Sequence, residues 1–218
     1  MITIAQIVDD IISRKPLLEE LLSENLVNLS ALARNIQAEI EQKLGKDINH
    51  SAILMALKRY TSKLDLSINI KLKKTISQLG EITVRSMLSD YTFRNSDKMA
   101  GKQQELLKLI SEERDCFYTF SQGIYETTII ISSAYKDALE KVFESESLVA
   151  KKDDLSSVTL KLPADNFELA GLYYFILKKL AWENINIIEV ISTTNEFTVI
   201  VEESKAAQTF NALKSLNN

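Results

Sequence analysis

The last stretch of the chain, from Ser156 to Asn218, predicts five elements in the order strand, helix, strand, strand, helix. Apolar residues alternate with polar ones from Ser157 to Leu162, which is typical of a strand with one buried face. Asp165 and Glu168 have the spacing of a capping box, so a helix is predicted to begin there and to continue as far as Leu180. The remaining elements are strands over Asn186–Ile191 and Phe197–Val201 and a last helix capped by Ser204.

This order of elements, together with the sequence from Leu180 to Ser192, resembles the ACT domain, a family of small ligand-sensing modules linked to amino-acid metabolism. The resemblance covers nearly all of Ser156–Leu216. It is carried by the turn that ends in Gly171, by the Ile-Asn-Ile-Ile sequence that opens the second strand, and by the Ser-Thr-Thr-Asn turn that ends in Asn195. An unrelated ferredoxin-like sandwich has the same order of elements and is the alternative.

A similar order of elements is predicted upstream, from about Glu81 to Phe143. A strand is predicted over Ile82–Phe93, and later elements begin near residues 116, 125 and 134. Their counterparts near 186, 196 and 205 lie about 70 residues further on, and such a constant offset indicates a repeat. The acidic segment that follows, Glu144–Asp154, contains Ser147–Ala150, which is the best candidate for the last strand of this first copy. One larger mixed α/β domain is the alternative to tandem modules.

Tandem modules of this kind resemble the regulatory end of aspartate kinases. The kinase itself is not expected, because the five scattered glycines form no phosphate-binding loop. We therefore predict an α+β chain: a helical, helix-turn-helix-like domain over residues 1–79, a first ferredoxin-like βαββαβ ACT module over 80–154, and a second over 155–218.

The front third of the sequence predicts several short helices. Pro16 suits the first turn of a second helix, Asn28 or Ser30 can cap a third, and Gly45 stops it before a fourth opens at Asn49 or Ser51. This arrangement matches a helix-turn-helix. The sequences from Asn28 to Arg34 and from Ile48 to Arg59 resemble the N-terminal region of predicted regulators of amino-acid metabolism that carry an ACT domain.

Charge supports DNA binding only in part. Residues 1–79 carry 11 Lys and Arg against 9 Asp and Glu, whereas residues 80–218 carry 15 against 21. A basic cluster that could contact phosphates lies around the end of the fourth helix, and its candidate nucleic-acid-binding residues are Lys58, Arg59, Lys63 and Lys71. The alternative is a solvated helix end, where cations are favourable in any case.

No catalytic or metal-binding constellation is apparent in the sequence. His50 is the one histidine and is interpreted as a surface or capping residue, while Cys116, the one cysteine, is interpreted as a small core residue. The run Tyr173–Phe175 is assigned to the core, with one of its three rings facing outward. We expect a cytoplasmic protein that is not an enzyme, carries no cofactor or metal, and has no membrane span, because no apolar run approaches twenty residues.

The resemblance to ACT domains implies an amino-acid effector, bound where a strand-to-helix loop meets a facing strand. On this chain the loop is Asp165, Asn166, Phe167, Glu168, Leu169, Ala170 and Gly171, and the strand supplies Ile188, Glu189, Val190 and Ser192. Free amides at a helix start attract a carboxylate, although Asp165 and Glu168 would close the loop if they cap the helix themselves. A homodimer that senses an amino acid, with DNA as a further partner, is the prediction; a structural dimerisation module without effector is the alternative.

Overall fold

The computed structural model describes residues 2–64, 75–111, 115–164, 166 and 170–217. The chain divides into two compact units, Met1–Ile70 and Lys71–Asn218. Ile76 and Leu79, which precede the predicted boundary at residue 80, pack on a core of the second unit.

The first unit is helical, with α1 (Ile4–Ser13), α2 (Pro16–Ser23), α3 (Leu29–Leu44) and α4 (His50–Lys63). The predicted start and stop signals are confirmed: Pro16 opens α2, and the side chains of Asn28 and Asn49 cap α3 and α4. Gly45 ends α3 in the left-handed conformation, with φ of 67°, which glycine adopts without steric cost. The apolar stripes of the four helices meet in one core, which includes Val8, Ile12, Ile36, Ile40, Ile53 and Leu57.

The second unit is built on one antiparallel six-stranded sheet in the order β2-β3-β1-β4-β6-β5. The strands are β1 (Ile82–Arg94), β2 (Tyr118–Gln122), β3 (Glu126–Ser132), β4 (Leu148–Lys161), β5 (Glu189–Ser192) and β6 (Glu196–Glu202). The helices are α5 (Met99–Ile110), α6 (Lys136–Val142), α7 (Leu172–Trp182) and α8 (Ala206–Lys214), with short 3-10 turns over Ser133–Tyr135, Glu203–Lys205 and Ser215–Asn217.

The two long strands, β1 and β4, hold the sheet together. The first part of β1 pairs with β4 alone, and the rest of β1 also pairs with β3. The first part of β4 likewise pairs with β1 alone, whereas Leu155–Lys161 also pairs with β6. Each long strand is therefore an edge strand for half of its length and a central strand for the other half. The predicted boundary between residues 154 and 155 falls inside β4.

Helices cover one face of the sheet and form two cores there. The first core joins Tyr91, Phe93, Ile129 and Ile131 of the sheet to Met99, Leu106 and Ile110 of α5 and Leu139 and Val142 of α6. The second joins Val158, Leu160, Phe197, Val199 and Val201 to Leu172, Ile176 and Leu180 of α7 and Ala212 and Leu213 of α8. Alternate strand residues point to opposite faces, so the sheet residues of both cores lie on the helix side.

A smaller apolar cluster lies on the open face, opposite the helices. It consists of Leu88, Ile130, Leu155 and Ile200, each at most 1% exposed, one from each of the four central strands. Phe117, Ile188 and Ile191, which lie at the start of β2 and around β5, pack against this cluster. The segments at the two outer strands therefore help to shield the open face from water.

Candidate functional site

Asn166, in the predicted binding loop, anchors that loop to the neighbouring β5–β6 turn. Its side-chain amide donates to the carbonyl oxygen of Pro163 at 2.7 Å and to that of Thr194 at 2.8 Å. The side chain is buried, so both acceptors are paired away from solvent. Four of the predicted loop residues, Asp165, Phe167, Glu168 and Leu169, lie outside the described residues.

Helix α7 begins later than the sequence predicts. Its first residue is Leu172, and its N-cap is Gly171, with φ of 92° and no side-chain hydrogen bond to the first turn. The positive φ of Gly171 is a backbone conformation that only glycine adopts easily, and Ala170 beside it is exposed. The amides of the first turn have no partner within the helix, which makes this end suited to an anion.

The start of α7 meets the end of β5. The hydroxyl of Tyr173 lies 2.6 Å from the Ser192 Oγ, and the Tyr173 ring packs against Phe197 with its centroid 5.1 Å away. Ser192 also donates to the carbonyl oxygens of Thr193 and Glu196. Tyr173 and Tyr174 are both exposed, so two rings of the Tyr173–Phe175 run face outward and not one as predicted, and Tyr173 is the ring that joins the site. The helical spacing of that run gives no signal for this role, because the contact depends on a strand 19 residues away.

The predicted strand residues do not form one site. Val190 and Ser192 lie on the helix side, since they pair with Val199 and Phe197 of β6. Glu189 lies on the opposite face, and Ile188 packs into the open-face cluster. Of the predicted set, the structure therefore brings Ser192 and Val190 to the side of Gly171, and separates Ile188 and Glu189 from it.

Glu189 instead shares an environment with Asp90 of β1. Burial raises the pKa of Glu189 above its ordinary value. Burial also raises the pKa of Asp90 to about 6, and the negative charge of Glu189 adds to this, while the charge of Lys152 opposes it. These carboxyls on the open face therefore favour their protonated forms more than surface carboxyls do.

The candidate nucleic-acid-binding residues that the structure describes are Lys58, Arg59 and Lys63, all exposed on α4. Lys71 lies outside the described residues. Arg59 and Lys63 are four residues apart and so lie on one side of the helix. His50 is the first residue of α4, and its Nε2 lies 3.1 Å from the hydroxyl of Ser30, which links α4 to α3.

Cys116 is half-buried and packs against the first core, but it precedes β2 and is not the fully buried core residue that the sequence predicts. Over the described ranges, no group of three His, Cys, Asp or Glu side chains is placed to hold a metal ion. In the same part of the chain, no helix is both long enough and apolar enough to cross a membrane.

No protein-family model and no curated protein matches the sequence. Solved structures do match. The regulatory subunit of aspartate kinase from Thermus thermophilus, in its ligand-free form, matches with a TM-score of 0.51 at 10% identity, over 63% of this chain and 97% of that one. Aspartate kinase from Clostridium acetobutylicum, described as an allosteric enzyme, matches with a TM-score of 0.53 at 14% identity, over 64% of this chain and 34% of that one. The aspartokinase alpha and beta subunits match with a TM-score of 0.51 at 13% identity, over 63% of this chain and 97% of that one. The chain thus has, over about two thirds of its length, the ACT-type fold of the regulatory part of aspartate kinases.

Proposed function

We propose that this protein is a non-catalytic regulatory protein that senses an amino acid through its sheet unit. One observation carries the proposal: the match to the Thermus thermophilus regulatory subunit extends over 97% of that chain. The fold that this protein shares is therefore that of a complete regulatory subunit. A function that consists of binding an effector and passing on its presence needs no further catalytic part in the same chain.

The sheet unit contains two copies of one ACT-type module, in this proposal. Its two halves use the same device to attach the loop after a long strand to a hairpin turn. Asn95, after β1, donates from its amide to the carbonyl oxygen of Gly123, just as Asn166, after β4, donates to Thr194. The turns match too, because the amides of Gly123 and Thr193 both bond to the residue three further on.

The effector binds at the start of α7, where backbone amides favour the carboxylate of an amino acid. Gly171 exposes this helix end, and Ser192 with Tyr173 supplies hydroxyl groups beside it. β5 is an edge strand of the sheet, so its unpaired backbone groups offer a place for a second copy of the chain. A homodimer formed there would bring acceptors for the ammonium group from the partner.

Thermal unfolding in the presence of each of the twenty amino acids tests the proposal. A ligand at a hundred times its Kd stabilises the folded state by about 2.7 kcal/mol, which raises Tm by roughly 5–10 °C for a chain of this size. The Asn166→Ala variant is expected to lose the response, because its loop is released from the turn. The matched Asn95→Ala variant, altered at the equivalent place in the other half, is expected to keep it.

If none of the twenty amino acids raises Tm, the sensing proposal is wrong. The sheet unit would then be a dimerisation module without effector, and its oligomeric state in solution would be the property to follow. A response that survives in Asn166→Ala and is lost in Asn95→Ala would place the effector in the other half of the sheet.

Transcriptional regulation is a second proposal, and it rests on the helical unit alone. Helices α3 and α4 are joined by a short turn at Gly45, and α4 exposes three cationic side chains. The turn is held by Glu41, which accepts from the Gln37 amide and from the Ile48 backbone N–H. Such a helix pair suits phosphate contact along α4.

A further inference from the structure

A cleft opens on the face of the sheet opposite the helices. It lies between the segment that leads into β2 and the strands β1, β4, β5 and β6. Its volume is about 510 Å³, which is in the range of pockets that hold small ligands. Most pockets of that kind combine an apolar lining with a few charged or polar groups, and this one does so as well.

Among the residues that the structure describes, Arg85 and Glu196 are the charged side chains that line the cleft. Arg85 Nη1 donates to the carbonyl oxygen of Asp115 at 2.9 Å, so the guanidinium is held against the wall of the cleft that leads into β2. A guanidinium has five N–H donors in a planar fork, so this contact leaves donors for an anion. A carboxylate is the anion whose shape matches the fork.

The register of the sheet sets the spacing of these two charges. Thr83, Thr159 and Thr198 form a row across β1, β4 and β6, with Arg85 two residues to one side of the row and Glu196 two residues to the other. Two strand spacings and four residues along the strands put the Cα atoms of Arg85 and Glu196 roughly 16 Å apart. Strand side chains stand roughly perpendicular to the sheet and Arg85 is tied to Asp115, so the two charged groups stay well apart in this arrangement.

The surface between the two charges is mixed. The hydroxyls of Thr159 and Thr198 lie 2.8 Å apart and bond to each other, which lowers their demand for water. Phe117 and Ile191 add apolar surface. An α-amino acid carries its ammonium and carboxylate on one carbon, so it spans little of this distance. A molecule with these groups at opposite ends of a short chain spans more of it.

We propose that this cleft binds an elongated zwitterion, a small molecule whose amine and carboxylate are separated by a short aliphatic or amide-containing chain. The carboxylate pairs with Arg85, the amine pairs with Glu196, and the chain lies over Phe117, Ile191 and the threonine pair. This site is separate from the effector site at α7 and lies on the other face of the sheet, so either site can exist without the other.

Cys116 gives the test a built-in reporter, because it is the only cysteine of the chain and lines the cleft. The experiment measures, by intact mass, the rate at which iodoacetamide alkylates Cys116 in the full chain. The rate is compared in the presence of each member of a series of unbranched ω-amino acids, from glycine to 6-aminohexanoate. Protection is expected to increase with chain length, to at least a fivefold slower alkylation with the longer members at saturation. Glycine is expected to give none.

Single-charge variants give the decisive comparison. Arg85→Gln and Glu196→Gln are each expected to raise the concentration needed for half protection by tenfold or more. Glu126→Gln is the matched control, since Glu126 begins β3 as Glu196 begins β6 and does not line the cleft. In this variant the ligands should protect Cys116 at the same concentrations as in the natural chain. Equal protection by glycine, no protection by any member of the series, or protection that survives in both charge variants would each overturn the proposal.

Discussion

Met87 and Asp154 occupy equivalent places in the two long strands of the sheet, and both have a left-handed backbone. Their φ angles are 59° and 55°. In each strand this residue is followed directly by a leucine, and these two residues, Leu88 and Leu155, are paired across the sheet. The register shifts by one residue on either side of that pair, first in β1 and then in β4. The two strands therefore carry matching β-bulges about one approximate two-fold axis.

Replacing Met87 by glycine is expected to stabilise the protein. A non-glycine residue in the left-handed region costs about 1–2 kcal/mol, and the exposed Met87 side chain contributes little packing. After the entropy that glycine adds to the unfolded chain, a net gain of about 0.5–1 kcal/mol in the free energy of unfolding remains. Asp154→Gly should gain less, because aspartate tolerates this conformation better than methionine. Urea denaturation measures both.

Met87→Ala is the control, because it removes the same side chain and keeps the strained backbone. We expect it to leave stability within about 0.5 kcal/mol of the natural chain. A glycine variant no more stable than the alanine variant would show that the bulge carries no strain.

The open-face cluster is expected to contribute strongly to stability. Leu88→Ala and Leu155→Ala each remove a fully buried side chain, at a cost of about 2–5 kcal/mol. The two residues are direct partners, so the double variant should depart from the sum of the single effects by about 0.5 kcal/mol or more. Leu109→Ala, at an exposed position of α5, is the control and should cost far less. Urea denaturation measures these losses, and equal losses at Leu109 and Leu88 would contradict a stabilising role of the open-face cluster.

Stability is expected to depend on pH through Asp90. Its folded pKa of about 6 lies above the ordinary value, so the unfolded chain loses this proton first as the pH rises. Ionisation of Asp90 in the folded state therefore lowers the free energy of unfolding. This penalty begins near pH 4 and is complete above about pH 6. Asp90→Asn removes the penalty and should stabilise the protein by ~1–2 kcal/mol at pH 7, with no gain near pH 4.

Unfolding free energies measured from pH 4 to pH 8 check this. Lys152→Met should extend the window at its upper end, because the charge of Lys152 favours the ionised form of Asp90 in the folded state, whereas the unfolded chain sets the lower end. A gain for Asp90→Asn that is the same at pH 4 and pH 7 would mean that the substitution acts through packing and not through charge.

DNA binding by the helical unit predicts a salt dependence that the basic residues of α4 control. The double variant Lys58→Ala with Arg59→Ala should make the negative slope of log affinity against log salt shallower by about 2. Fluorescence anisotropy on a labelled duplex measures this slope. Lys102→Ala with Lys108→Ala removes the same charge from α5 and should leave the slope unchanged. Equal losses in both variants would indicate a general effect of net charge and no DNA interface on α4.

The elements that the sequence predicts correctly are those whose start, stop and alternation signals lie within a few residues. The strand over Ile82–Phe93, the helix stop at Gly45 and the helix start at Pro16 are confirmed, because alternation, a left-handed cap and a proline act within a few residues. The continuity of β4 was not predicted. Its charged run from Lys151 to Asp154 has the composition of a linker, yet it forms the part of β4 that is an edge, where charged side chains are exposed and discourage pairing with other molecules.

The site could be predicted only in part, for a similar reason. Gly171 and Ser192 were found from a resemblance and lie on the same side of the sheet. Glu189 lies on the other face, because one residue of register decides which face a strand residue occupies. The start of α7 at Leu172 is likewise later than the local pattern predicts.

The shared use of β1 and β4 has a consequence for how the chain is made. As synthesis proceeds, the later part of β1 can pair with β3 once residue 132 has been added, but Ile82–Arg85 finds its partners only in Ser157–Leu160. The segment that opens the sheet must therefore wait, solvent-exposed, until more than seventy further residues have left the ribosome. The half of the sheet that contains β2 and β3 draws its strand pairs from residues 88–155, so it can form first, whereas the half with β5 and β6 takes one of its strands from the start of β1.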